Sequence, residues 1–241
     1  MPSSALIRAQ VESRLPGALT TCVRSEREML PSGIPAIDRE TGGIPKSALT
    51  QICSPAGSSS GKTTLLLSLM AQTTQRGEFV ALVDASDCFG PASADACGVE
   101  LSRVLWVRCG EKPGMRSLEQ AFKTADILVQ NGGFALIAVD LGNADERLVR
   151  KVPLTTWFRF ARVVEKMPTA LVFLTSSPAA RNCAALTLQL DRGNARWEEE
   201  GALAHTQLLT GVDFAAEIVR SSVRKPVQSV RPKFTGRSQW A

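Results

Sequence analysis

Lys62 and Thr63 follow a run of small residues, in the order that proteins use to bind the phosphate chain of a nucleotide. Small residues let backbone N–H groups approach phosphate oxygens, the lysine reaches the β- and γ-phosphates, and the next hydroxyl binds Mg²⁺. We therefore predict that Lys62 contacts the phosphates and that Thr63 is a Mg²⁺ ligand. The predicted nucleotide-binding residues are Ala56, Gly57, Ser58, Ser59, Ser60, Gly61, Lys62, Thr63 and Thr64.

The segments on either side of this loop have the character that phosphate binding requires. Residues 49–53 form an apolar run that predicts a strand, and residues 65–75 predict a helix whose N-terminus favours negative charge. Ala56 departs from the motif, which has glycine at its first position. The alternative is a Ser- and Gly-rich turn that precedes Gly-Lys-Thr by chance, but the flanking strand and helix favour a phosphate-binding loop.

Three aspartates lie at or just beyond the ends of apolar runs. Asp140 ends the run FALIAVD, and Asp84 ends FVALVD with Asp87 three residues later. Ligands bind at the carboxyl ends of the strands in open α/β sheets, and a strand-end aspartate can hold Mg²⁺ beside the loop hydroxyl. We predict Asp140 as the second Mg²⁺ ligand, although an aspartate at a strand end is common in any α/β fold. Asp87 is our candidate for orienting or deprotonating the attacking water.

Alternating apolar runs and helical periodicity predict the elements that position these residues. The predicted strands are 79–84, 104–107, 134–140 and 170–175, and the predicted helices are 117–130 and 154–167. Ser117 is the predicted N-cap of the first of these helices. Such alternation predicts an α/β fold with a mainly parallel sheet sandwiched by helices.

Beyond Pro178 the pattern changes, because two apolar stretches have no long helix between them. Residues 184–190 and 214–220 predict antiparallel strands added at the C-terminal edge of the sheet, with Gly193-Asn194 as a turn signal between them. The indoles of Trp106, Trp157 and Trp197 are predicted to be core or interface aromatics rather than platforms for nucleic-acid bases.

Composition limits the classes of protein to consider. The 241 residues are 44% hydrophobic and 21% charged, which is ordinary for a globular protein. No apolar run approaches the ~20 residues of a membrane span, and the N-terminus lacks a signal-peptide core, so we expect a cytoplasmic protein without membrane contact. Six scattered cysteines without a Cys-x-x-Cys pair, and a single histidine, argue against zinc and disulfides.

The basic excess is concentrated at the C-terminus. The chain has a net charge of +5, and six basic residues but no acidic one follow Glu217, so the rest carries 5 − 6 = −1. A basic segment of this kind binds nucleic acid or an acidic partner, or is simply solvated. The candidate nucleic-acid contacts are Arg220, Arg224, Lys225, Arg231 and Lys233.

These motifs together resemble the RecA recombinase family over residues 30–225. The run LPSGIPAIDRETGGIPKSALTQICSPAGSSSGKTTL is followed by ALVDAS, ALIAVD and ALVFLTS in the family's order, and SSGKTT is identical to it. The resemblance implies a RecA-like fold that binds ATP and Mg²⁺ through Lys62, Thr63 and Asp140. It also implies roles in DNA repair and recombination, single-stranded DNA binding and self-association.

Several positions depart from the family pattern. Ser86 stands where the family has its catalytic glutamate, with Asp87 one residue further on, and Ser176 stands where the family has a glutamine that senses the γ-phosphate. The paired lysines that cross the subunit interface in RecA correspond to Arg220 and Ser222, and the segments of the two DNA-binding loops are shorter. These departures imply weak or absent ATPase activity, and the pattern is similar to that of the shortened RecA-like paralogues that include ImuA.

Three functions are therefore compared, on a chain divided into an arm (1–29), an ATP-binding core (30–222) and a basic tail (223–241). The first is an ATP-binding RecA-like protein of DNA repair, recombination and the SOS response. The second is a non-enzymatic, ImuA-like adaptor that links RecA to a translesion DNA polymerase. The third, a P-loop kinase, has the least support because no Arg-rich lid segment follows the core strands.

Overall fold

A computed structural model of the chain describes residues 27–55, 60–110, 114–191, 194–197, 209–222 and 233–239. The predictions for residues 1–26, for the first half of the phosphate-binding loop, for His205 and for most of the basic tail lie outside these ranges. The strands are β1 (Met29–Leu30), β2 (Ile44–Pro45), β3 (Ala48–Cys53), β4 (Val80–Asp84), β5 (Val104–Arg108), β6 (Leu136–Asp140), β7 (Ala170–Thr175), β8 (Leu186–Leu190), β9 (Asn194–Trp197), β10 (Leu209–Ser221) and β11 (Lys233–Gln239).

Within the described residues, nine of these strands form one sheet. Its order is β11-β10-β8-β3-β7-β6-β4-β5, with β9 paired to β10 on the side. The six strands from β8 to β5 in this order run parallel, whereas β9, β10 and β11 are antiparallel to their neighbours. Strands β1 and β2 form a separate two-stranded ribbon that precedes β3.

Six helices flank the sheet in the described ranges: α1 (Pro35–Thr41), α2 (Lys62–Thr74), α3 (Pro91–Ala96), α4 (Met115–Asn131), α5 (Glu146–Arg150) and α6 (Leu154–Val164). Helices α1, α2 and α3 bury their apolar side chains in one core cluster, and α4, α5 and α6 bury theirs in a second. Alternate residues of each central strand belong to the two clusters, as the period of two along a strand requires. The predicted α/β sandwich is confirmed.

The second core is built around aromatic side chains. Trp157 of α6 is fully buried and meets Phe173 of β7 edge to face, with 4.9 Å between the ring centroids. Phe122 of α4 stacks on Phe173 with 5.7 Å between the ring centroids and meets Trp157 edge to face at 5.3 Å. The prediction that Trp157 is a core residue is therefore confirmed. Trp106 is half-buried against Phe89, and the side chain of Trp197 lies outside the described part of the structure.

The strand predicted at residues 184–190 is β8, which pairs antiparallel with β10 as predicted and also pairs in parallel with β3. The short connection 176–185 passes β3 and places β8 on the far side of that strand. Two sequence predictions about the helices are wrong. Ser117 is not the N-cap of α4, since Gly114 holds that position and its N–H donates to the Ser117 hydroxyl at 2.9 Å. Helix α6 ends at Val164 rather than at Met167.

The C-terminal edge of the sheet agrees with the prediction of antiparallel strands there. Strand β10 contains residues 214–220 and pairs antiparallel with β8. Part of the predicted basic tail also belongs to this sheet, because β11 pairs antiparallel with β10 from Glu217↔Lys233 to Gly211↔Gln239. None of the helices in the described ranges is both long and apolar enough to cross a membrane.

Candidate nucleotide-binding site

The order of the central strands brings the predicted site residues to one edge of the sheet. Strand β7 lies between β3, which leads into the phosphate-binding loop, and β6, which ends at Asp140. The register pairs Cys53 with Thr175 and Asp84 with Asp140, so the carboxyl ends of these strands are level. Ser176, the residue after β7, therefore follows a strand end that lies between the loop and Asp140.

The N-terminus of α2 has the geometry of a phosphate-binding helix. Gly61 is its N-cap and has φ 76°, a left-handed conformation that glycine adopts without the penalty of a Cβ atom. No side chain among the described residues caps the helix, so the N–H groups of its first turn can bind an anion. Thr63 lies in this turn and is exposed, whereas Lys62 and Thr64 are half-buried. Residues 56–59, the other predicted loop residues, lie outside the described ranges.

The structure brings Lys62 and Asp140 together above Gly142. A Cβ atom placed on Gly142 would lie 2.6 Å from Lys62 Nζ and 2.9 Å from Asp140 Oδ1, so both atoms border the same small space. Burial lowers the pKa of Lys62, and the nearby carboxylate of Asp140 partly opposes this change. The ammonium and the carboxylate therefore lie close together, and both residues are half-buried.

Asp140 itself is held by the turn that follows β6. Its Oδ1 accepts a hydrogen bond from the backbone N–H of Gly142 at 2.8 Å. Burial raises the pKa of Asp140, Gly142 and Lys62 lower it, and the neighbouring Asp84 raises it further. A cation beside this carboxyl group would favour its charged form, and the charged form is the one that binds Mg²⁺.

Four buried serine hydroxyls at this edge have no hydrogen-bond partner among the described residues. They are Ser54 after β3, Ser60 before α2, Ser86 after β4 and Ser176 after β7. Buried polar atoms are usually paired with protein, water or a bound ligand. The oxygens of a phosphate chain, or water around its metal ion, would satisfy these hydroxyls, so the residues present fit a nucleotide with Mg²⁺.

No three His, Cys, Asp or Glu side chains among the described residues cluster as a metal site. A Mg²⁺ ion on a nucleotide is commonly held by one or two protein oxygens together with substrate phosphates and water. Thr63 and Asp140 are the residues that would hold it.

The two aspartates after β4 are both engaged by the protein. Asp84 is buried, and its two carboxylate oxygens accept from the N–H groups of Ser86 at 3.1 Å and Phe89 at 2.9 Å. Asp87 is bound through both oxygens by the guanidinium group of Arg108, with 2.6 Å between Arg108 Nε and Asp87 Oδ1. Those hydrogen bonds hold the pKa of Asp87 below its ordinary value. Asp87, our candidate for orienting water, is thus tied to the edge strand β5.

A buried polar network that the sequence analysis missed joins the ends of β3 and β7. The Gln51 amide donates to Thr175 Oγ1 at 2.9 Å and accepts from the N–H of Ala180 at 3.1 Å. Cys53 Sγ lies 3.4 Å from Thr175 Oγ1, and burial raises the pKa of the Cys53 thiol to about 11. The polar Gln51 within the apolar run LTQIC was the signal in the sequence. The network fixes the strand that leads into the phosphate-binding loop.

Among the predicted nucleic-acid residues, Arg220 is the one whose side chain belongs to the described part of the structure. Arg220 lies beside the start of β8, where its guanidinium donates to Ala184 O at 3.0 Å and Asn182 Oδ1 at 3.2 Å. Lys233 is the first residue of β11, and its side chain is not described. Arg224, Lys225 and Arg231 lie outside the described residues.

Comparison with known proteins identifies relatives of this chain. The family model described as the RecA N-terminal domain matches residues 18–151, more than half of the chain. A stretch of 115 residues is 36% identical to Protein RecA of Methylococcus capsulatus and covers 47% of this chain and 31% of that relative. A stretch of 163 residues is 30% identical to Protein RecA of Herpetosiphon aurantiacus and covers 61% of this chain and 43% of that relative. The match therefore spans less than half the length of these curated relatives.

Proposed function

The chain belongs to the RecA N-terminal domain family, and from this premise we propose that it binds ATP with Mg²⁺ and acts in DNA repair, recombination and the SOS response. The observation that carries the proposal is the meeting of Lys62 and Asp140 above Gly142, beside the uncapped N-terminus of α2. A cation, a buried carboxylate and free N–H groups at one strand edge suit a nucleotide phosphate chain better than any other common ligand.

Each residue of the proposed site has a chemical task. The Lys62 ammonium binds oxygens of the β- and γ-phosphates, and the N–H groups of the first turn of α2 bind the phosphates beside it. Thr63 and Asp140 hold Mg²⁺, which would neutralise charge that develops on the phosphates. The hydroxyls of Ser60 and Ser176 lie at the same strand edge, where they would donate to phosphate oxygens.

We propose that this site hydrolyses ATP weakly or not at all. Hydrolysis requires a group that orients or deprotonates water, and Ser86 has only a hydroxyl at the position after Asp-Ala. Asp84 already accepts two backbone N–H groups, and Asp87 is bound by Arg108. ATP binding would then act as a long-lived signal rather than as fuel for rapid turnover.

The proposed macromolecular partners are single-stranded DNA, further copies of this chain, and a RecA-like or DNA polymerase protein. The basic residues after Glu217 support single-stranded DNA as a partner, because Lys and Arg side chains bind nucleic-acid phosphates without requiring a particular base sequence. We also propose a cytoplasmic location, which the family and the composition of the chain support.

A second candidate is the non-enzymatic adaptor that links RecA to a translesion DNA polymerase. The engagement of both Asp84 and Asp87 favours it, because a protein that never hydrolyses ATP has no need of a free carboxylate at this edge. In this form of the proposal, bound nucleotide stabilises the fold while other surfaces bind the partner.

The deciding experiment measures ATP binding by calorimetry, ATP turnover with and without single-stranded DNA, and capture of a purified RecA-like or DNA polymerase protein. Wild type is compared with Lys62→Ala and with the control Lys123→Ala, which removes an exposed lysine of α4. We expect Mg·ATP binding in wild type and the control, and a loss of about tenfold or more in Lys62→Ala, since hydrogen bonds to charged groups contribute ~1.5–3 kcal/mol.

The outcomes separate the candidates. Binding with little turnover, and partner capture that needs Lys62, supports the ATP-gated protein. Partner capture that survives Lys62→Ala supports the adaptor. Rapid DNA-stimulated turnover would contradict the proposed weak hydrolysis, and the absence of any Mg·ATP binding to wild type would overturn the nucleotide-binding proposal itself.

A further inference from the structure

Gly142 lies beside both the phosphate-binding lysine, Lys62, and the metal-binding aspartate, Asp140, of the proposed site. A Cβ atom at this position would lie 2.6 Å from Lys62 Nζ, 2.9 Å from Asp140 Oδ1 and 3.0 Å from Lys62 Cε. Contacts of Cβ atoms below 3.0 Å essentially never occur in proteins. The ammonium therefore fills space that any other residue at position 142 would take with its own side chain.

Conformation does not require glycine here, because Gly142 is not among the residues with positive φ. By contrast, Gly33, Gly42 and Gly61 have positive φ, a conformation that favours glycine. The constraint at Gly142 is one of space alone. Alanine is thus compatible with the backbone of this turn.

The backbone around Gly142 cannot easily move away from the lysine. Leu141 N–H donates to Leu174 O at 2.9 Å, Gly142 N–H donates to Asp140 Oδ1 at 2.8 Å, and Ala144 N–H donates to Leu141 O at 3.0 Å. Asn143 also donates to Cys88 Sγ at 3.2 Å, which ties the turn to the loop after β4. Hydrogen bonds therefore anchor the turn to β7 and to the loop after β4, and two more lie within residues 140–144.

Lys62, by contrast, ends in a flexible four-carbon stem. When a fixed backbone and a flexible side-chain tip compete for the same space, the tip moves because rotating a lysine stem costs little. A methyl group at position 142 would therefore displace the ammonium without unfolding the turn. Nothing in the spacing of the sequence motif indicates this relationship, since the two residues are eighty positions apart.

We propose that Gly142 is a positioning residue for nucleotide binding: by lacking a side chain it lets the Lys62 ammonium lie beside Asp140, where the phosphates and the metal ion meet. This inference rests on the proposed function, because it assigns Gly142 to the same nucleotide site. It predicts that the smallest possible enlargement, Gly142→Ala, weakens ATP binding by a mechanism that requires Lys62.

The test is a double-mutant cycle on Mg·ATP affinity with Gly142→Ala, Lys62→Ala and the double variant. Gly114→Ala serves as the matched control, because a Cβ atom there meets nothing within 4 Å and its φ of 177° is ordinary extended backbone. We expect Gly142→Ala to weaken binding about tenfold or more, the control to change it less than twofold, and Gly142→Ala to add no further loss once Lys62 is absent. An equal loss in both backgrounds would overturn the proposal, since it would show an effect independent of the lysine.

A crystal structure of the Gly142→Ala variant decides the matter without reference to ATP. Displacement of Lys62 Nζ by an ångström or more, with the turn 141–144 unchanged, supports the proposal, and an unmoved ammonium overturns it. If wild type binds no ATP, the proposed function fails while this structure still tests Gly142. If Gly142→Ala does not fold, recovery of folding in the Lys62→Ala double variant supports the clash, and failure to recover overturns it.

Discussion

Both carboxylate oxygens of Asp87 accept hydrogen bonds from the guanidinium group of Arg108, which joins the loop after β4 to the edge strand β5. The same guanidinium lies over the ring of Trp106, 5.3 Å from its centroid. Asp87 has φ 54°, a left-handed conformation that is uncommon for residues other than glycine. The carboxylate best placed in the sequence to orient water is thus fixed at the edge of the sheet.

Replacing Arg108 should return Asp87 to ordinary titration. Because Arg108 lowers the folded-state pKa of Asp87, the stabilisation from this pair is present above the ordinary aspartate pKa and is lost as pH falls through the lowered value. We expect Arg108→Gln to move the titration of the Asp87 carboxyl to higher pH, as measured by ¹³C NMR at low salt. Arg103→Gln is the control, since Arg103 pairs with Glu100 instead. An Asp87 titration that stays low in Arg108→Gln would refute this account.

Placing a carboxylate at position 86 should increase ATP turnover. Ser86 is buried, has no hydrogen-bond partner for its hydroxyl among the described residues, and follows a strand that ends beside Asp140. General bases typically contribute 10²–10⁴-fold, so we expect Ser86→Glu to raise turnover at least ~10-fold over wild type in a phosphate-release assay. The glutamine of Ser86→Gln has nearly the same shape as glutamate but cannot act as a base, so this variant should keep the wild-type turnover. Equal rates for the two variants would count against the missing base as the cause of weak hydrolysis.

Removing the charge of Asp140 should stabilise the protein while it abolishes Mg²⁺-dependent ATP binding. Burial disfavours the charged carboxylate, and asparagine keeps an oxygen to accept from Gly142 N–H. We expect Asp140→Asn to raise the melting temperature at pH 7 by roughly 2–4 °C, the shift that about 1 kcal/mol produces in a chain of this size. Asp84→Asn should have the opposite effect, because both Asp84 oxygens accept backbone N–H groups and one acceptor would be lost. A lowered melting temperature in Asp140→Asn would contradict the prediction.

Charge reversal in the C-terminal basic residues tests direct DNA binding. We expect Arg224→Glu, Lys225→Glu, Arg231→Glu and Lys233→Glu together to weaken binding to single-stranded DNA strongly and to flatten its salt dependence. Each lost phosphate contact removes about 0.7 from the slope of log affinity against log salt, so the slope should fall by roughly 2–3, measured by fluorescence anisotropy. The control for net charge is reversal of four exposed basic residues elsewhere: Arg116, Lys123, Lys151 and Lys166. An unchanged slope in the fourfold variant would show that these residues do not bind DNA phosphates.

The sequence by itself determined the elements of the core. Continuous apolar runs such as ALVFLT can be satisfied only by burial on both faces of a parallel sheet, so β7 has the residues predicted for it. The order strand, small-residue loop, Lys62 and helix likewise predicts that a helix follows the loop, although α2 begins at Lys62 rather than at residue 65. Gly61 is the residue type that the left-handed N-cap of this helix requires. These features depend on neighbours along the chain, which a sequence displays directly.

Only the tertiary structure decided which side chains meet. The parallel pairing of β8 with β3 depends on a crossover past a strand, whereas a short connection is typical of an antiparallel return. The capture of Asp87 by Arg108 joins two loops through strand order, and the closeness of Lys62 to Gly142 depends on β7 lying between β3 and β6. Contacts between residues far apart in sequence follow from how the strands are ordered in the sheet, and periodicity along a single segment carries no information about that order.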